Sequence, residues 1–426
     1  MIRISRLGFQ TNRVWRRLVL YTALCCLSTL VAAQAGQLDP TFGTGGIFSS
    51  NFGNTFGASA NAVALQTDGK IVIVGAGGPG GTGGLARINS NGTLDASFGS
   101  GGVVTSNFND LAAATIVLGV AVQSDGKIVA AANGIPSRFA VGRFNSDGSV
   151  DTTFGTNGFT LVSNAGGALL LALQSDGKII VVGNTQMARF NSTGQLDTTF
   201  GSGGLAVLLA PLPSAIALQP NGKILIASGA STPPQAVLNP PPGSGSLARY
   251  NSNGSLDKGF GISGEAASVA LPSAVAVQAD GRILVAGTIN NKLIATGNST
   301  GFGVVRFNAN GSIDTTFATR GGATTGFAGL GLAGAFAMAI QSNGDIVTAG
   351  EAGNSSVSQL TLSFGLARYT TAGKLDATFG SGGTVTTSFG SNGIALVSGT
   401  VLQTDGKIVV AGDANSNFAV ARYLAQ

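Results

Sequence analysis

Along residues 36–426, short Val, Ile, Leu and Ala runs alternate with clusters of Gly, Asn, Asp and Ser, and no stretch keeps a helical period. One pair of runs ends at Leu65 and begins again at Ile71, with Asp68-Gly69 between them. Asp-Gly or Asn-Gly between alternating apolar segments is a strong local hairpin signal. It recurs at Asp125-Gly126, Asp176-Gly177, Asn221-Gly222, Asp280-Gly281, Asn343-Gly344 and Asp405-Gly406, so the pattern predicts seven such hairpins. The Asp and Asn residues of these steps read as turn formers rather than catalysts.

Two further signatures share the period. Leu-Asp-x-x-Phe, or a close variant, places Asp at 39, 95, 151, 197, 257, 314 and 376, with gaps of 56, 56, 46, 60, 57 and 62 residues. Phe follows three positions later each time and Gly four positions after that, as at Phe42 and Gly46. A large ring at a fixed offset reads as a core anchor, and the Gly as a turn needing unusual backbone angles. The third signature, small-Arg-apolar-polar, places an Arg eight residues before every internal Asp of the first. If Ser90-Asn91-Gly92 is a tight hairpin loop, Asn89 faces Thr93, Ile88 faces Leu94 and Arg87 faces Asp95. The spacing therefore predicts cross-strand pairs Arg87–Asp95, Arg143–Asp151, Arg189–Asp197, Arg249–Asp257, Arg306–Asp314 and Arg368–Asp376. Such pairs would fix register and satisfy both charges where they are partly buried.

Asp39 has no Arg eight residues before it, and Arg422 has no Asp after it. The two halves of that hairpin lie at opposite ends of the chain, and pairing them would close a ring and remove exposed sheet edges. Seven repeats of about 46–62 residues, each with apolar segments for roughly four strands, predict an all-β, seven-bladed β-propeller closed by N- and C-terminal strands. An open solenoid is the alternative, but it would carry atypical polar caps, and here the terminal units are among the most regular.

Residues 1–35 read as a leader rather than as part of that domain. Arg3, Arg6, Arg13, Arg16 and Arg17 precede an apolar run at 18–31, and Ala33-Gln34-Ala35 offers a small-x-small cleavage pattern. The expectation is a secretory signal peptide over 1–35 and a single propeller over 36–426, exported to the periplasm, the cell surface or beyond. Those five arginines supply the whole excess of 23 basic over 18 acidic residues, so the remaining chain is formally neutral. Its net charge offers no attraction for nucleic acid, and no later segment is long enough to cross a bilayer as a helix. A monomer is expected. Cys25, Cys26 and Trp15 also fall in the leader, which leaves residues 36–426 with no Cys and no His.

The signatures resemble the delta-60 repeat family of bacterial exported proteins across essentially all of 36–426. Residues 120–128 and 142–149 carry the resemblance most clearly. Departures are Ala318 for Gly, Asp345 for Lys, and Lys258-Gly259 for the usual small or hydroxyl residues. The resemblance implies a propeller-like repeat domain and brings no established catalytic residues.

Without His and Cys, the commonest general base and metal ligand and all thiol chemistry are missing from 36–426. Of sixteen Asp, seven belong to the first signature and six to the Gly hairpins, which leaves Asp110, Asp147 and Asp413; Glu265 and Glu351 lie in different units. Asn145, Asp147 and Asp151 have the alternating oxygen donors of a calcium loop, but the same residues suit a hairpin turn, and the other copies replace Asp147 with Asn91, Thr193, Asn253, Asn310 or Ala372. No cofactor, no metal and no catalytic residue is expected.

Variation concentrates between the Lys-Ile strand and the Arg strand. Unit four carries 229–245, unit five 287–301 and unit six 350–364, and neighbouring insertions on one propeller face would make a raised rim. The candidate binding residues there are Asn290, Asn291, Lys292 and Glu351. The sequence favours a non-catalytic module that binds or scaffolds a protein or glycan partner. The alternative is a carbohydrate-active hydrolase or lyase with a site over the propeller face.

Overall fold

The computed structural model describes residues 34–425 apart from 53–58, 77–82, 106–115, 135–137, 163–166, 230–244, 269–270, 291–299, 356–358 and 391–392. Seven four-stranded antiparallel sheets form the blades of a β-propeller. Blade one runs outward from Ser59–Leu65 through Ile71–Ala76 and Gly83–Ile88 to Val103–Thr105. Blades two to six repeat this order, with innermost strands Ile116–Val122, Ala168–Leu173, Pro213–Leu218, Leu271–Val277 and Leu332–Ile340.

Blade seven is composite. Its three inner strands are Ala395–Leu402, Ile408–Ala414 and Asn417–Tyr423, and its outermost strand is Ile47–Ser50 from the other end of the chain. Ile47 pairs with Ala421, and Leu38 bridges Tyr423, so the split hairpin closes the ring as its spacing implies. Ala35 belongs to this closure: it is buried, and its carbonyl accepts a 2.8 Å bond from Gly380 N–H of blade six. The folded unit thus begins before residue 36. A chain starting at Gly36 would lose that carbonyl; one starting at Gln34 keeps it.

The turn chemistry explains why the strands register. In blade one, Gln66 N–H bonds Lys70 C=O and Gly69 N–H bonds Gln66 C=O, with Gly69 at φ +81°. The outer hairpin follows the expected register, with Asn89 N–H on Thr93 C=O and a bridge from Ile88 to Leu94. Between blades, alternate strand residues interdigitate: Val347 and Ala349 pack toward Ala395 and Val397 of blade seven, while Ile346 and Ala352 pack toward blade five. Every innermost strand also carries a register shift, as between Ala60 and Ala62. This bulge adds local twist where the strands crowd around the axis. Crowding selects small residues there, since a Cβ on Gly399 would sit 2.7 Å from Val63 Cγ1.

Deleting 421–426 removes Arg422 and the fully buried Tyr423, whose hydroxyl bonds Thr387 Oγ1 at 2.8 Å. Losing one large core side chain and one buried ion pair costs on the order of 6–10 kcal/mol. The expected outcome by calorimetry is a fall in Tm of about 10 °C or more, or no cooperative transition. Removing Gln426 alone should leave Tm unchanged.

Candidate functional site

The most regular polar feature is a ring of guanidinium groups, one per blade. In blades one to six the third-strand Arg directs Nε to Oδ2 of the Asp eight residues on, at 2.7–2.9 Å. The same guanidinium lies over the blade's Phe, as Arg87 does over Phe98 at 4.5 Å and Arg249 over Phe260 at 4.4 Å. Its Nη1 reaches a backbone carbonyl in the hairpin of the next blade. Arg143 meets Ser192 O at 2.5 Å, Arg306 meets Thr371 O at 2.7 Å and Arg368 meets Ala425 O at 2.6 Å; Arg87, Arg189 and Arg249 meet Ser146, Ser252 and Ala309 in the same way.

Arg422 completes the circle. It bonds Ser90 O of blade one, lies 4.7 Å over Phe42, and meets Asp39 through Nη2 at 2.9 Å rather than through Nε. A parallel set of backbone bonds crosses each seam, for example Gly99 N–H to Asp147 C=O and Gly43 N–H to Asn91 C=O, both 2.8 Å. The hairpin Gly takes φ +84° at Gly92 because the approach is so close that a Cβ would lie 2.3 Å from Gly43 N.

The aspartates have further partners. Oδ1 of Asp95 accepts from Ser97 N–H and Oγ, and Asp151 does the same with Thr153. The lysine of the Gly hairpin adds a second cation, Lys70 at 2.9 Å from Asp95 and Lys407 at 3.2 Å from Asp39. Burial opposes the charge on Asp39, but hydrogen bonds from Thr41 and Lys407 and the field of Arg422 outweigh it and hold its pKa at about 2. Asp95 and Asp151 are held well below the usual carboxylate range by the equivalent partners against the same opposing burial. The calcium-like spacing is used internally: Asp147 Oδ1 accepts from Ser149, and Asp151 Oδ2 faces Arg143 and Lys127.

The candidate rim divides differently. Asn290 ends a strand, Ile283–Asn290, and its side chain, with Asn291 and Lys292, lies outside the described residues. The insertions of units five and six, expected as loops, begin and end as strand: the hairpins extend over Ile283–Asn290 with Thr300–Phe307, and over Ile346–Ser355 with Leu360–Tyr369, with 291–299 and 356–358 outside the described residues. Their period-two pairing is masked in the sequence by Gly, Asn and Ser, which lower strand propensity.

Glu351 sits on the extended hairpin of blade six, opposite Gly334 and Phe364. It shares the strand side of Val347 and Ala349, toward blade seven. Burial pushes its carboxyl up to about 7. Asp413 occupies the equivalent place in blade seven, opposite Leu396 and Phe418. It latches the seam to blade one by accepting from Ser59 Oγ at 2.9 Å and from Ala60 N–H. Burial raises its pKa against those bonds. In blade seven the strand position equivalent to Ser59 holds Leu396, which has no side-chain donor. Around the axis, none of the seven innermost strands carries an Asp, Glu, Lys, Arg or His. Among the described residues no three of His, Cys, Asp and Glu converge as metal ligands.

The sequence profile described as "Domain of unknown function (DUF5122) beta-propeller" matches residues 66–98, 123–154, 174–200, 241–260, 278–317, 341–379 and 403–426, together half of the chain. The chain belongs to this family. The matched segments begin at the Gly hairpin's Gln and run through the Arg–Asp–Phe unit in most blades. No curated protein matches the chain. Among solved structures it is similar to Sqt1 from Chaetomium thermophilum, at 14% identity over 93% of this chain and 100% of that one, with a TM-score of 0.48. It is also similar to a gluconolactonase from Xanthomonas campestris, at 12% identity over 73% and 90% of the two chains and a TM-score of 0.39. A calcium-binding regucalcin from Agrobacterium tumefaciens gives 14% identity, 73% and 91% coverage and a TM-score of 0.40. Likenesses this distant carry no activity over to the DUF5122 chain.

The pKa directions set opposite pH limbs. Asp39, Asp95 and Asp151 titrate below their unfolded value of about 3.9, so their stabilisation is present above that pH and is lost as pH falls toward 2. Glu351 is raised, so its contribution is present below about 4.3 and is lost as pH rises through 7. Tm should therefore drop below about pH 4 and also decline from about pH 5 to 8. Glu351→Gln should shrink the upper decline to the part that the raised Asp413 carboxyl supplies and leave the acid limb, as read by Tm against pH.

Proposed function

We propose that this chain is an exported, non-catalytic propeller of the delta-60 repeat type that binds or scaffolds a protein or glycan partner through the rim of blades four to six. The observation carrying this reading is the consumption of nearly all repeated polar chemistry by the blade seams, beside an axis lined only by uncharged strands. A catalytic site over an axial channel needs convergent acids, bases or ligands, and these strands supply none. The insertions at 229–245, 287–301 and 350–364 all leave second-to-third-strand connections of adjacent blades. In a propeller these connections share one face, opposite the Gly hairpins. The leader pattern ahead of Gln34 is the basis for export.

A second reading rests on Glu351. A carboxyl held near neutrality is suited to general acid work, and it would serve a carbohydrate-active hydrolase or lyase.

The test pairs a glycan array and a partner pull-down with a glycosidase and lyase screen, using the protein from residue 34 and a variant in which 230–244 is replaced by a short Gly-Ser link. The binding reading expects saturable capture, reduced at least tenfold in the variant at unchanged Tm, and no turnover. Turnover that Glu351→Gln abolishes would replace it with the second reading.

A further inference from the structure

Blade six breaks the repeat at one charged position, on the face opposite the rim. In the other six blades the Gly hairpin supplies a cation to the seam aspartate: Lys70, Lys127, Lys178, Lys223, Arg282 and Lys407 lie 2.9, 2.9, 3.8, 2.7, 3.4 and 3.2 Å from Asp95, Asp151, Asp197, Asp257, Asp314 and Asp39. Blade six has Asp345 there, so a carboxylate replaces the ammonium next to Asp376. Asp376 keeps Arg368 at 2.7 Å, and Asp345 Oδ2 accepts only the amide of Asn343 at 2.7 Å; among the described residues no cation pairs with Asp345.

These groups face a cleft of about 930 Å³ between blades six and seven, lined by Gln341, Asn343, Asp345, Asp376 and Thr378 and, across it, Asp405 and Lys407. Lys407 is already committed to Asp39 and to Asp405, at 3.2 and 3.0 Å, so the cleft retains one unneutralised negative charge. Gln341 lies beside these groups. It is 9% exposed and its Oε1 has no hydrogen-bond partner, whereas the equivalent oxygens of Gln66 and Gln403 accept from Arg87 and Arg422 at 3.3 and 3.1 Å. Blades two to five share the unpartnered oxygen, but each closes its cleft with its own Lys or Arg. In blade six the chain supplies nothing.

We propose that this cleft receives the ammonium of a lysine from a polypeptide partner, in the place that the other six blades fill themselves. An ammonium donates through its N–H groups, and the carboxylates of Asp376 and Asp345 offer acceptors of matching type, as the seam aspartates of the other blades do for their own lysines. Its single charge equals the local deficit. Calcium fits less well: it takes six to eight oxygens, and Asp376 already gives Oδ2 to Arg368 and Oδ1 to Thr378. The site does not depend on the rim of blades four to six, and either can fail without the other.

The experiment is an NMR titration of the protein from residue 34 with acetyl-Gly-Lys-Gly-amide, its Nε-acetylated analogue, and calcium chloride, following the Gln341 side-chain amide and the Gly344 backbone amide at low ionic strength. The free-lysine peptide should shift both signals saturably. The acetylated peptide should not, and Asp345→Asn should weaken the response about fivefold, the loss of one exposed charge contact. Asp345→Lys, which restores the repeat, should abolish the response while keeping or raising Tm, a fold-independent control. An equal response to the acetylated peptide, an unaltered response in Asp345→Lys, a response to calcium alone, or no response to any of the three would overturn the proposal.

Discussion

A buried guanidinium must place its N–H donors or lose several kcal/mol, and that requirement organises this propeller. Arg87 meets it with Asp95 on its own blade, Ser146 O on the next and the face of Phe98 beneath. Asp95 must then stand opposite it, which fixes the hairpin register, and Phe98 must follow three residues later. The hairpin of the next blade must come within bonding distance, which forces Gly at its tightest point. Each blade therefore pins its neighbour through one side chain. Because Arg422 and Asp39 come from opposite ends of the chain, the same interaction also closes the ring.

Elements governed by local pairing were legible in the sequence. The Gly hairpins, the eight-residue Arg-to-Asp spacing and the split pair at the termini each follow from short-range turn geometry, and the seven-bladed ring follows from their count. The Arg partners across the seams were not legible, because Ser192 O and Thr371 O are backbone atoms 49 and 65 residues from their donors and any residue could present them. Asp413 looked extraneous to the repeat for a related reason: its partners, Ser59 and Ala60, lie more than 350 residues away. The inner-strand bulges left no signature, since the residues flanking the shift differ between blades, Ala60 and Ala62 in one and Pro213 and Ala215 in another. The candidate rim was only partly legible. Glu351 was singled out, but its place on a strand facing blade seven comes from pairing that Gly350 and Gly353 conceal.

What the repeat absorbs is unavailable for binding, so function is to be sought where the pattern fails. It fails in two places on opposite faces: in the unequal second-to-third-strand connections, and at Asp345, where the other six blades have a cation and blade six has a carboxylate. Neither failure weakens the ring, since the Arg368 contacts to Asp376 and Ala425 are intact. Even Ala318, which takes the place of a seam Gly at φ +45°, keeps its bond to Ala372 O at 2.8 Å.

The central claim is that the two seams to which the chain's N-terminal segment contributes are equivalent to the five made within the chain. Native-state hydrogen exchange measures this directly at the seam amides Gly43, Gly99, Gly155, Gly201, Gly261, Ala318 and Gly380, each bonded to a neighbouring blade at 2.7–2.8 Å. If one guanidinium ring holds the molecule, all seven amides exchange only through a common global opening, with protection free energies agreeing within about 1 kcal/mol. Exchange at Gly43 and Gly380 several orders of magnitude faster than at the other five would show that the ends open on their own, and would contradict it.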